Sequence, residues 1–210
     1  MKKLLLTGIL ATLSLVCFSQ KRNSFEIATG LGASLYNINN SNNLVGPKTF
    51  LIPTSSFNLG FWLKENYNLS LHVQSWNFGK SSNDSISRSG NQKSLSLRLL
   101  CLIKNSDKWE FMLGPEMGVS RIFNSYKNQN GNESLLKFTG NNFGLYFTSN
   151  RILGKRFSLF YDLGLVHHHL KGKSFTLDGE QLNEINNIAP NNFRISIFGL
   201  NNRIGLRLTM

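Results

Sequence analysis

The chain is short of acid. Its 210 residues include 23 lysines and arginines against only 11 aspartates and glutamates, giving a formal net charge of +12. Cysteine is rarer still, at Cys17 and Cys101, and there are four prolines. Beyond residue 18 no apolar run approaches the ~20 residues that a membrane-spanning helix needs. Each shortage excludes a class. Two cysteines cannot make a disulfide framework, and they have no partners at metal-ligand spacing. No glycine-rich phosphate loop or nucleic-acid motif is present. The basic residues are dispersed, which argues against nucleic acid. Anionic lipid headgroups and surface polysaccharide remain as counterparts for that charge, as does the simple solvation of loops.

The one long apolar run lies at the start. In MKKLLLTGILATLSLVCFSQ, Lys2 and Lys3 precede Leu4 to Phe18, and the small Ser19 follows. This predicts a cleavable secretory signal over 1–19, with cleavage after Ser19. Lipidation at Cys17 is the competing expectation, and the bulk of Val16 just before it speaks against that. Removal of the signal leaves Cys101 alone, so an exported form has no intramolecular disulfide.

What the chain has in abundance is alternation. In RFSLFYDLGLVHHHL, Arg156 to Leu170, the residues Phe157, Leu159, Tyr161, Leu163 and Leu165 share one face. Ser158, Phe160, Asp162, Gly164 and Val166 share the other, and a period of two is a strand. The same pattern predicts strands at Ser24–Tyr36, within Phe50–Leu63, and at Tyr67–Phe78, Lys93–Lys104 and Lys108–Phe123. It continues at roughly Lys137–Leu153, then the opening example, then Phe193–Met210. Tight turns are expected at 64–66, 105–107 and 154–155. Long polar loops are expected at 37–49, 79–92, 124–134 and 171–192, the last holding a small hairpin closed by Asp178-Gly179. Pro53 should sit at the outer end of its strand, and Pro115, in mid-strand, predicts a bulge.

Two regularities select the architecture. Short and long connections alternate, and an even strand number returns both termini to one side, as in outer-membrane barrels with short periplasmic turns. The outward set also carries no Asp, Glu, Lys or Arg. Glu26, Arg98, Glu110, Glu116, Asp162, Arg203 and Arg207 all fall on the inner face. A soluble lipocalin-like barrel would reverse that arrangement. The expected fold is therefore all-β, an eight-stranded antiparallel up-and-down transmembrane barrel over 24–210. Phe25, Tyr67, Trp109 and Phe157 should form the periplasmic half of an aromatic girdle.

Several stretches resemble the PorT-like outer-membrane β-barrel domain family. They are SFNLGFWLKENYNLSLHVQSWNFGK, the LGPEMG around Pro115, KRFSLFYDLGLVHH and the terminal NNRIGLRLTM. The resemblance spans about Ser24 to Met210. It implies the same fold and a role as a membrane component of a secretion or envelope-assembly machine. The chain departs from such barrels in ending on Met210, where an aromatic residue is common.

For chemistry, the seven inner charges predict a buried ion-pair network that plugs the lumen. A barrel of about eight strands is filled by its side chains, while open aqueous channels belong to barrels of ~16–18 strands. His167, His168 and His169 are expected as a polar cap where the seventh strand ends, at the extracellular rim. Neighbours on a strand point to opposite faces, so the three cannot grip one metal ion. Asp162 lies roughly 20 Å along the strand from His168 and cannot pair with it. His72, alone on the inner face, reads as a hydrogen-bonded filler, and Cys101 as a small lipid-facing residue. No cofactor, metal or catalytic activity is expected. The function expected is a non-enzymatic surface or scaffold protein whose loops meet an envelope or secretion partner, or polysaccharide. A lipid-modifying enzyme and a narrow pore are the alternatives.

Overall fold

A computed structural model describes residues 24–40, 49–63, 65–83, 86–128, 133–177, 180–181 and 194–210. The strands are β1 (Phe25–Asn40), β2 (Thr49–Leu63), β3 (Tyr67–Asn83), β4 (Ile86–Asn105), β5 (Trp109–Asn128), β6 (Glu133–Ile152), β7 (Phe157–Leu177), β8 (Glu180–Gln181) and β9 (Arg194–Thr209). Each long strand pairs antiparallel with its predecessor, β9 pairs with both β7 and β1, and the sheet closes. The result is a closed eight-stranded barrel, with β8 a two-residue return against the end of β7. The expected signal segment and the connections 41–48 and 182–193 lie outside the described residues.

Closure carries a fixed stagger. From Tyr36 the ladder partners run through Gly199, Val166, Gly144, Glu116, Arg98, Ser70 and Gly60 to Glu26. One circuit thus returns to β1 ten residues below its start. With ~3.3 Å per residue and ~4.8 Å between strands, that shear tilts the strands by about 40°. From Phe25 to Leu35, β1 then rises about 25 Å along the barrel axis, the height of a lipid-facing band.

The outer wall over that height is mostly apolar, with Asn202, Thr29 and Ser55 among its polar positions. Leu97, Phe143, Leu163 and Leu206 are among the large side chains left exposed there, and the charge turned outward at its lower edge, Arg151, lies over the ring of Trp109. Phe25, Tyr67, Trp109 and Phe157 begin β1, β3, β5 and β7 at its lower edge, all exposed.

Above the band the pattern inverts. Lys93, Arg121, Thr139, Lys171 and Arg194 are successive ladder partners on β4, β5, β6, β7 and β9, all on the outer wall. Inside the same rim, Tyr36, Ile52, Trp76, Ile122, Phe138, Leu170, Ile195 and Ile197 form a buried apolar cluster. Apolar residues face lipid below this level and the interior above it, as in a soluble barrel.

The inversion corrects the expected loops. The stretches 79–92 and 124–134 are largely strand. β3 and β4 pair out to Asn83 and Ile86, and β5 and β6 to Lys127 and Glu133. β7 continues to Leu177, so loop 171–192 starts later than expected. Leu177 pairs with Glu180 and Thr176 with Gln181, and the expected Asp178-Gly179 turn lies outside the described residues. These runs looked like loops because their outward residues are polar. Neighbouring strands supply their hydrogen bonds regardless.

The expected bulge at Pro115 is absent. Register is unbroken between β5 and β6 there, and the offset between β4 and β5 is the same on both sides of it. Instead the β4–β5 ladder lapses opposite Gly114 and Pro115, where a Cβ on Gly114 would stand 1.8 Å from the Leu99 carbonyl. Glycine lets the strands crowd, and the missing proline N–H falls in the gap. The register shift comes between Leu102 and Lys104, nearer the turn. Pro53 lies just outside the β2–β3 ladder, which begins at Thr54, so its lost donor is not needed there.

The band makes a test. Leu163 sits near its middle and Thr139 above it. Leu163→Arg should destabilise the barrel in lipid vesicles by ~2–4 kcal/mol, and Thr139→Arg by at most about 1 kcal/mol. Urea unfolding followed by tryptophan fluorescence reads both. Equal costs at the two positions would mean that lipid does not cover this wall.

Candidate functional site

The lumen is filled in layers. The central layer is made by residues that the alternation turns inward at mid-height. Arg98 and Glu116 are ladder partners on β4 and β5, and Asp162 and Arg203 are partners on β7 and β9. Arg98 donates from Nε and Nη2 to Glu116 Oε2, at 2.9 and 2.7 Å, and reaches across the lumen from Nη1 to Asp162 Oδ2, at 2.8 Å. Arg203 Nη2 donates to the same Asp162 oxygen at 2.8 Å, and Thr148 Oγ1 donates to the other at 2.7 Å.

His72 closes the ring. Its Nδ1 lies 2.8 Å from Glu116 Oε2 and its Nε2 against Arg203 Nη1. A carboxylate needs a donor and a guanidinium needs an acceptor, so the neutral tautomer with its proton on Nδ1 satisfies both. The 3.3 Å approach of Arg98 Nη2 to Nδ1 is then a contact without a hydrogen bond. Two guanidiniums face two carboxylates around a neutral imidazole, and the cluster has no net charge. Tyr146 floors it, with the Arg98 guanidinium 3.8 Å from its ring centre.

A second polar layer lies below. Glu26 accepts from Trp62 Nε1 at 2.6 Å and from Asn68 Nδ2 at 2.9 Å. Arg207 Nη1 stands 3.4 Å from its Oε2, an ion pair too skewed to count as a hydrogen bond. A cavity of about 10 Å³ between Glu26, Arg98 and Arg207 has room for about one water. Between them the two layers take side chains from all eight long strands.

Six of the seven inner charges therefore enter two separate clusters, and Glu110 enters neither. It sits half-buried at the inner mouth, where Asn150 Nδ2 donates to it at 3.3 Å. Sequence reasoning missed Tyr146, Thr148, Trp62 and Asn68 as partners, since alternation gives a residue's face but not whom it meets across the lumen. It placed His72 as a hydrogen-bonded filler, and His72 is bonded on both ring nitrogens.

The histidines need correction. β7 runs eight residues past His169, so they do not end the strand. They also separate. His168 is buried beneath the apolar cluster, with Nδ1 2.9 Å from Ser120 Oγ and its ring edge-on to Trp76. His169 is exposed. His167 lies on the outer wall with Nε2 2.6 Å from Ser196 Oγ. Among the described residues, no group of three His, Cys, Asp or Glu is placed to hold a metal ion.

Described side chains are buried at every level of the lumen. The apolar cluster fills the outer half, Arg98 and its partners with Tyr146 the centre, and Trp62, Leu100 and Met112 pack below. An inner-mouth cavity of about 340 Å³ reaches Glu26, Trp62, Glu110, Lys155 and Arg156.

No family model matches the chain, and no curated protein does. Solved structures match its fold. A major outer membrane protein of Thermus thermophilus is 13% identical, with a TM-score of 0.62, covering 90% of this chain and 100% of that one. Neisserial surface protein A is 10% identical at a TM-score of 0.57, with 89% and 99% covered. Ail, the attachment invasion locus protein of Yersinia pestis, is 8% identical at 0.55, also with 89% and 99% covered. The fold is that of small eight-stranded outer-membrane barrels.

Removing one partner from the central cluster should strand a buried charge. Asp162→Asn leaves Arg98 and Arg203 sharing one carboxylate and should cost ~3–5 kcal/mol in chemical denaturation, whereas Glu110→Gln should stay within about 0.5 kcal/mol. Similar losses for both would remove the central cluster as the organising contact.

Proposed function

We propose that the chain is a non-enzymatic outer-membrane barrel that works through its rims and outer wall as a surface or scaffold component. The resemblance to the PorT-like family narrows this to an accessory of a secretion or envelope-assembly machine. The observation that carries the proposal is the sealed lumen. With side chains packed through its length, a steady solute path has nowhere to run. Function then falls to surfaces. The inner mouth presents Glu110, Lys155 and Arg156 around an open cavity, a mixed-charge seat suited to a periplasmic partner. The outer rim, including the segment 171–192, would meet an envelope protein or polysaccharide. The proposal includes export by the segment 1–19 and both barrel termini in the periplasm.

The His167–Ser196 contact favours a second reading. A hydroxyl and an imidazole meet on the lipid-facing wall, the arrangement an esterase acting on membrane lipid would use. No carboxylate among the described residues is hydrogen-bonded to that imidazole to orient it, which is why the reading stands second.

Three measurements separate these readings. Crosslinked pull-down of the tagged mature protein from outer membranes should recover a stoichiometric envelope partner. Bare barrel alone would leave a free-standing surface protein. Planar bilayers should stay silent across many insertions, and steady conductance altered by Arg98→Met would establish a pore. Mass spectrometry of membrane lipids should show the same profile for wild type and Ser196→Ala. A changed profile would replace the scaffold reading with the enzymatic one.

A further inference from the structure

The inversion level on the outer wall carries a concentration of cations that the scaffold role leaves unused. Lys93, Arg121, Lys137 and Lys171 come one from each of four consecutive strands, β4 to β7. Lys93 and Arg121 are ladder partners, Arg121 is partnered by Thr139, and Thr139 by Lys171. Lys137 is partnered by Phe123, two residues beyond Arg121 on the same face. Register therefore holds the four within a single patch.

Three observations give the patch a character. Among the side chains that the structure describes, every ion pair lies inside the barrel, and none of these carboxylates pairs with the four. Two of them converge on one ring, with Arg121 Cζ 5.3 Å and Lys137 Nζ 5.4 Å from the centre of Phe123. A ring contacted by two cations helps hold both near one point despite their repulsion. Finally, the patch sits on the apolar band. Two residues below Lys93 is Leu95, two below Arg121 is Val119, and four below Thr139 on β6 is Phe143, all exposed on the same wall.

We propose that Lys93, Arg121, Lys137 and Lys171 bind the phosphorylated headgroup of an outer-leaflet lipid whose acyl chains lie along Leu95, Val119 and Phe143. A soluble polyanion would use the cations and gain nothing from the apolar wall beneath Lys93 and Arg121. A phosphorylated lipid uses both. Arginine supplies a planar fork for phosphate oxygens, and the lysines act as point charges around it. A headgroup bearing more than one phosphate monoester fits four cations better than a single phosphodiester does. The site rests on the membrane placement proposed above.

The test uses the refolded mature barrel in phosphatidylcholine nanodiscs doped with a bisphosphorylated glucosamine-disaccharide lipid or its dephosphorylated form. Native mass spectrometry reads the lipid retained. Wild type should retain the phosphorylated lipid selectively. The variant K93Q/R121Q/K137Q/K171Q should lose at least about tenfold, at roughly fivefold for each cation near an anionic surface. It should keep wild-type heat-dependent gel migration, since all four side chains lie outside the packed lumen. A variant with normal migration and undiminished retention would overturn the site. So would equal retention of the two lipids by wild type, or a soluble sulfated polysaccharide displacing the lipid at equimolar concentration. Failure of wild type to insert at all would overturn the membrane placement, and the lipid site with it.

Discussion

The Asp162 carboxylate is the point on which the barrel turns. One of its oxygens accepts from Arg98 on the far wall and from Arg203 on the adjacent strand, and the other accepts from Thr148. A carboxylate taken out of water loses solvation worth several kcal/mol, recovered only when each lone pair meets a donor in good geometry. Here three donors lie within 2.8 Å, and the arginines are themselves paired, through Glu116 and His72. A one-residue slip of any contributing strand would send its charge to the lipid wall and leave its partner bare inside. The cluster therefore penalises wrong registers more than it stabilises the right one.

That constraint explains the room left around it. Arg98 lies over the Tyr146 ring, and Tyr146 needs space at its edge. A Cβ on Gly164 would stand 2.2 Å from that ring. The same device recurs near the outer end, where a Cβ on Gly199 would meet the Tyr36 ring at 2.1 Å. Tyr36 in turn donates to Asn201 at 2.5 Å, and Asn201 donates to the Tyr146 hydroxyl at 2.8 Å. A polar chain thus climbs from the central ions to the apolar cluster at the outer rim. Glycines opposite aromatic rings are what a narrow, tilted barrel requires to fit large side chains across its axis.

Legibility in the sequence followed the physics of each level. Within the lipid band one alternation governs both faces, so strand identity, inner charges and outward aromatics could be read from Phe157–Leu165 and its equivalents. Above Lys93 and Arg121 the apolar face changes sides. Ser87–Gln92 and Asn124–Asn128 then read as polar loops, though both are paired strand. Pro115 misled for a different reason. Its bulge was expected from the lost N–H alone, but Gly114 draws β4 so close that the ladder lapses without an extra residue. The histidines were misplaced as a consequence of the first error, because a strand thought to end at Leu170 puts His168 at a rim. Pairings across the lumen, such as Arg98 with Asp162, depend on shear and could not be read from any one strand.

Sealing the lumen and inverting the wall have a joint consequence. A barrel filled by its side chains leaves little room along its axis, and the carboxylates of its central cluster already meet donors from neighbouring strands. The cations on the outer wall are the reverse case. They lie outside the packed lumen, and on the membrane placement proposed above they stand where hydrocarbon gives way to headgroups. Strand continues for several residues beyond them, stiffened by the Ile122, Phe138 and Leu170 interior. On the same placement, a rigid collar rising from the membrane, with cations at its base, would hold its rim at a fixed distance from the lipid surface. Anything bound at that rim is therefore positioned relative to the membrane by the barrel itself, which a mobile loop on a shorter barrel could not do.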